Sequence, residues 1–74
     1  MVIDLIVKQE LDGYTAFVPS IKNCDAWADN EEKAIEKVLE IVEFYLRIPK
    51  EKILVDKARK ESNETVYKLV FDKK

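Results

Sequence analysis

Between Asp29 and Pro49 the apolar residues Ala34, Ile35, Val38, Leu39, Val42, Tyr45 and Leu46 recur at three- and four-residue spacings, whereas the segments on either side alternate with a period of two. The first pattern is one apolar stripe of a helix, and the second is a strand with unlike faces. Either Asn30 caps the helix or Asp29 does, with Glu32 completing a capping box. Glu31 and Glu32 suit the positive end of the helix dipole. Pro49 disfavours a helical Ile48, so the helix should end near Arg47.

Upstream, Val2 to Lys8 reads as a strand with Ile3, Leu5 and Val7 on one face and Val2, Asp4, Ile6 and Lys8 on the other. Tyr14 to Val18 alternates again, Tyr14, Ala16 and Val18 opposing Thr15 and Phe17. Asp12-Gly13 lies between them. Gly13 is the only glycine, and Asp-Gly is a preferred pair for a tight hairpin turn because glycine accepts a positive φ. Pro19 cannot donate to a ladder and ends the second strand. Cys24 to Ala28 reads as a short third strand, with Trp27 opposite Cys24, Ala26 and Ala28. Downstream, Ser62-Asn63-Glu64 is a turn before a strand from Thr65 to Phe71, in which Val66, Lys68 and Val70 oppose Tyr67, Leu69 and Phe71. Lys50 to Lys60 fits a short helix from Pro49 or a strand centred on Ile53 to Val55, and pattern leaves both open.

A chain of 74 residues is one small domain, 1–74, with a thin stability margin. One cysteine and no histidine leave neither an intrachain disulfide nor a closed zinc site as a staple. Oligomerisation is the remaining remedy, so at least a dimer is expected. Fifteen acids against thirteen bases supply no basic patch, and direct nucleic-acid binding is not expected. The Lys50, Lys52, Lys57, Arg59 and Lys60 cluster is diluted by Glu51, Asp56 and Glu61. No apolar run spans a bilayer and the N-terminal segment lacks a signal-peptide pattern, which points to the cytoplasm.

Asp12-Gly13-Tyr14-Thr15-Ala16-Phe17-Val18-Pro19, then Cys24, then Asp29-Asn30-Glu31-Glu32-Lys33-Ala34 and finally Tyr45-Leu46 resemble, in order and spacing, the stand-alone N-terminal domain of the HicB-like antitoxin family. That family reads D-G-Y-x-A-x-V-P, L-P-G-C, then G-D-T-x-E-E-A opening a helix that closes in Y-L. The likeness covers roughly the first two thirds of the chain. Ile21-Lys22-Asn23-Cys24 lacks the proline and glycine of L-P-G-C, and Ala28-Asp29-Asn30 replaces G-D-T. Asparagine can cap in place of threonine and can take a left-handed conformation where glycine is usual. The resemblance implies an α+β fold, β-β-β-α-β: a three-stranded antiparallel sheet, one packed helix and a further C-terminal strand, a truncated ribonuclease H-like arrangement. It also implies dimers or tetramers, and a small basic HicA-type toxin, a messenger-RNA-cleaving ribonuclease, as the masked partner. The ribbon-helix-helix or helix-turn-helix domain that usually follows has no room before Lys74, so DNA autoregulation is not expected.

Catalysis is not expected. Asp4, Glu36 or Glu40, and Asp56 or Asp72 are carboxylates that a divalent cation would need gathered at one point, and spacing does not gather them. No metal or other cofactor is implied. Cys24 has no histidine to activate it, and Gly13 alone makes no phosphate-binding loop.

Glu32, Glu36, Glu40 and Glu43 form an acidic row on the helix, at spacings where like charges cost about 0.2–0.5 kcal/mol per pair. Arg47 can relieve Glu43, with Lys33 and Lys37 giving partial compensation. Such a row is either a solvated face or a surface that gains from a basic partner. Trp27 and Tyr14 are either core or interface aromatics. Val2, Ile6 and Phe17 share a sheet face that needs cover, which a second subunit can supply by sheet packing or edge pairing.

Overall fold

The computed structural model describes residues 1–72. Its elements run β1 (Val2–Gln9), β2 (Tyr14–Phe17), β3 (Asp25–Ala28), α1 (Glu31–Leu46), a 3-10 turn (Lys50–Lys52), β4 (Leu54–Glu61) and β5 (Glu64–Val70). The fold is α+β, with one helix on a five-stranded sheet of order β3-β2-β1-β5-β4. Every neighbouring pair is antiparallel.

The strand inventory differs from the expected three plus one. Residues 50–60 combine a short turn and a strand, and this β4 forms a hairpin with β5 across Ser62-Asn63. Ser62 has φ 39, the positive first position of a tight two-residue hairpin turn. Both later strands belong to the one sheet, because β5 pairs along β1 from Val2↔Val70 to Lys8↔Glu64.

Helix α1 packs chiefly on β3 and β2 and less on β1. Ala34, Val38, Leu39 and Val42 enter the core, meeting Leu5, Val7, Ala16, Val18, Cys24 and Ala28. Each fully buried aliphatic side chain contributes about 1.5–3 kcal/mol. The chain after the helix extends the cover, with Ile48, Ile53 and Phe71 buried beside Leu69. Asn30 is the cap: its Oδ1 accepts the Lys33 N–H at 2.8 Å. Arg47 ends the helix in the left-handed conformation, φ 59, its N–H reaching the Glu43 carbonyl. Tyr45 departs from the expected stripe. It has the helical phase of Val38 and Val42 but is 62% exposed, since the last turn finds nothing to pack against on that side.

The first hairpin also differs from expectation. Gln9↔Tyr14 is its last pair, so the connection is the four residues 10–13, closed by Glu10 N–H to the Gly13 carbonyl at 2.8 Å. Gly13 does not have a positive φ. Its lack of a side chain matters through close approach, as a Cβ there would lie 2.5 Å from both the Ala28 carbonyl oxygen and the Trp27 ring. Positive φ occurs instead at Asn23 (φ 63), in the turn between β2 and β3.

Two stability changes follow. Gly13→Ala should lose about 1–3 kcal/mol, because the ring can move but the backbone carbonyl cannot. Arg47→Gly should gain about 0.5–1 kcal/mol by removing left-handed strain from a side-chain-bearing residue. Urea unfolding midpoints at constant slope measure both.

Candidate interaction surface

The helix covers one face of the sheet and leaves the other open. Alternation places Val2, Asp4, Ile6 and Lys8 of β1 on the open face, and the pairing register carries that face across the sheet. One row reads Asp25–Phe17–Ile6–Val66–Arg59 from β3 to β4. A second reads Val2–Val70–Leu54, with Val2 56% and Leu54 58% exposed. Between them lies Asp4–Lys68–Asp56, where the Lys68 ammonium donates to Asp4 Oδ1. Ile6, Phe17 and Val70 are half-buried, and Val66 is buried between its row neighbours. The Asp4–Lys68 pair is partly exposed and contributes little stability; it offsets two charges of the row and leaves the Asp56 carboxylate exposed at the β4 edge.

The expected oligomer residues Val2, Ile6 and Phe17 therefore do share a face. Trp27 lies on it too, opposite Thr15 and 46% exposed. Tyr14 does not. It points to the helix side, packs on the core and lines a cleft of about 50 Å³ with Val7, Gln9, Glu31, Lys60, Asn63 and Thr65. That space holds little more than ordered water. Beside it the Tyr67 hydroxyl donates to Glu31 Oε2 at 3.1 Å. Burial, then this contact with Glu31, pushes the Tyr67 hydroxyl up to about 12.

On the outer side of the helix Glu32, Glu36 and Glu40 are exposed, with Lys33 and Lys37 in the adjoining row. The Lys37 ammonium is engaged by the Trp27 carbonyl. Glu43 is half-buried and serves the fold, since its carboxylate accepts the Lys50 N–H at 3.2 Å and holds the turn after the helix. The expected relief by Arg47 is absent among the described residues, whose ion pairs are Arg59–Glu61 and Lys68–Asp4.

Chemistry-bearing groups do not converge. Asp4 and Asp56 lie on the open face and flank Lys68, whereas Glu36 and Glu40 project beyond the helix on the opposite side. Among the described residues no three potential ligands form a cluster suited to a metal ion. Cys24 is buried, and burial followed by the nearby Asp25 charge raises its thiol above the ordinary value. A thiol held protonated in this way is a poor nucleophile. Among the described residues no helix is long and apolar enough to cross a membrane.

Sequence pattern already placed Val66 and Val70 on one face of their strand, but only the β1–β5 register brings them beside Ile6 and Val2. Phe44 sits outside the apolar stripe, so the helical pattern gives it no signal. It is 86% exposed and adjoins exposed Tyr45 at the helix end.

A UPF0150 protein of Synechocystis sp. is 35% identical to this chain, the match covering 69% of the chain and 76% of the relative. The chain belongs to the UPF0150 family. A second UPF0150 protein, from Helicobacter pylori, is also 35% identical, over 62% of the chain and 64% of its own length. No protein-family model matches the chain. No solved structure matches it.

Tyr67 supplies a pH test. Its folded value, about 12, lies above the ordinary 10.0, so its contribution is complete below pH 10 and is lost as pH rises through the folded value. Ultraviolet titration should show a tyrosinate step near pH 12 that Tyr67→Phe removes. Unchanged titration of that variant would refute the assignment.

Proposed function

We propose that this domain is a HicB-like antitoxin, or a protein derived from one, that works by binding a small basic HicA-type toxin and masking its messenger-RNA-cleaving activity. The observation that carries the reading is the exposed row Glu32, Glu36 and Glu40 on the outer helix face. These like charges at four-residue spacing repel one another and gain from a basic partner. Three local features support the resemblance. Asn23, standing where the family pattern has glycine, takes a left-handed φ of 63. Asn30, standing where the pattern has threonine, caps the helix. The β1–β3 meander under one crossing helix suits the truncated ribonuclease H-like arrangement.

The reading assigns the domain no catalysis, with a buried thiol and dispersed carboxylates in its favour. It places the protein in the cytoplasm, where a messenger-RNA-cleaving toxin acts. A second reading, a homo-oligomeric scaffold without a toxin, is favoured by the open apolar face, where Val2, Leu54 and Trp27 are exposed and Ile6 and Phe17 half-buried.

The test is titration calorimetry against the basic protein encoded by an adjacent short reading frame, together with inhibition of its ribonuclease activity. Glu36→Lys with Glu40→Lys should weaken binding at least about tenfold at low salt, as expected for reversal of steering charges. Thermal stability should change little, because the attractions gained with Glu32 and Glu43 offset the Lys33 and Lys37 contacts that become repulsive. Unchanged affinity rejects the acidic row as the binding surface.

A further inference from the structure

The geometry points to a second copy of this chain as the occupant of the open sheet face, packed face to face about a two-fold axis that runs along β1. This assembly is independent of the toxin proposal and uses the opposite side of the molecule from the acidic helix row.

The sheet edges direct association to the face. β3, at one edge, is only four residues long. β4, at the other, carries a bulge between Lys57 and Arg59, with exposed Lys57, Arg59 and Lys60 along it. Short strands, bulges and edge lysines are the features that oppose strand addition. The open face has no such protection: Val2, Ile6, Phe17, Val70 and Leu54 lie there at least partly exposed around a buried Val66, with no element of the described chain above them.

Charge complementarity selects the axis. The strand order β3-β2-β1-β5-β4 is centred on β1, so a two-fold along β1 exchanges β3 with β4 and β2 with β5. In the row Asp25–Phe17–Ile6–Val66–Arg59, Ile6 then meets its own copy, Phe17 meets Val66, and Asp25 meets Arg59 at both ends. Strand spacing puts Asp25 and Arg59 each about 10 Å from the axis, and the arginine side chain spans the offset left by the roughly 30° rotation of aligned sheets. The β4 bulge is what delivers the cation. Without it Ala58 would oppose Val66; with it Arg59 does. Arg59 Nε is held by Glu61 at 2.6 Å, which leaves the outer guanidinium nitrogens to bond Asp25. Near the axis each Asp4 keeps its own Lys68, and the two pairs together form a neutral group. A two-fold across the strands would instead stack Asp25 on Asp25 and Arg59 on Arg59.

Sedimentation equilibrium of four samples tests this: the wild type, Asp25→Arg, Arg59→Asp, and an equimolar mixture of the two variants. The substituted residues are exposed, so folding is not at risk. The wild type should dimerise, and each variant alone should dimerise at least about tenfold more weakly, since like charges then face each other twice. The mixture should recover dimers, because each mixed pair restores both Arg–Asp contacts. A wild type that stays monomeric at millimolar concentration, single variants that dimerise as tightly as wild type, or a mixture that remains monomeric each overturns the proposal.

Discussion

A helix of sixteen residues is about 24 Å long, and it can cover only part of a five-stranded sheet. Much of this molecule follows from that mismatch. The apolar stripe of α1 covers β3, β2 and part of β1, and Ile48, Ile53 and Phe71 extend the cover toward β5. β4 gains its place mainly by pairing with β5, and most of its residues stay exposed. The far face of the sheet has no second layer in the described chain. Stable domains bury sheets between layers, so a sheet covered on one side and apolar on the other is half of such an arrangement.

The two outward surfaces differ in a way that lets them act together. On the helix side the row Glu32, Glu36 and Glu40 is acidic and solvated, with exposed Lys33 beside it and Phe44 and Tyr45 at the helix end. On the sheet side, apolar rows flank a paired Asp4–Lys68 centre whose two charges offset each other, while Asp56 stays exposed at the β4 edge. Glu43 and Lys37 belong to neither surface despite their place on the helix, because one is tied to the Lys50 amide and the other to the Trp27 carbonyl. Removing them from the acidic face sharpens it to Glu32, Glu36 and Glu40. A pair of copies joined through the sheets would leave both acidic rows facing outward.

What was legible in the sequence was whatever had one buried face. The stripe from Ala34 to Leu46 and the alternations in β1, β2 and β5 reflect burial against a single layer, which imposes a period on the residues. β4 was illegible for the converse reason. From Asp56 to Glu61 it is exposed on both faces, so no alternation distinguishes it from a loop, and only Ile53 to Val55 hinted at a strand. Gly13 was recognised as special, but its role is set by Trp27 and Ala28, residues of another strand that pattern cannot bring near. Tyr45 satisfied the helical phase and still lies in solvent, because phase says which way a side chain points and not whether anything is there. The open face had a similar fate: Val2, Ile6 and Phe17 were readable as a group, whereas Val66 and Val70 joined them only through the β1–β5 register.

The bulge in β4 unites the edge and the face in one local feature. An unbroken β4 would be a regular, unpaired edge beside an apolar face, open to a further strand from any neighbour. Inserting Ala58 interrupts that edge and increases local twist. The same inserted residue shifts every later side chain by one position, which moves Arg59 onto the open face opposite Val66 and puts Lys60 on the helix side opposite Thr65. A single extra residue thus makes association by the edge unfavourable and gives the face a cation at the end opposite Asp25. Charges of opposite sign at the two ends of one apolar row give that face a direction, and a directed face discriminates among the ways two copies can stack.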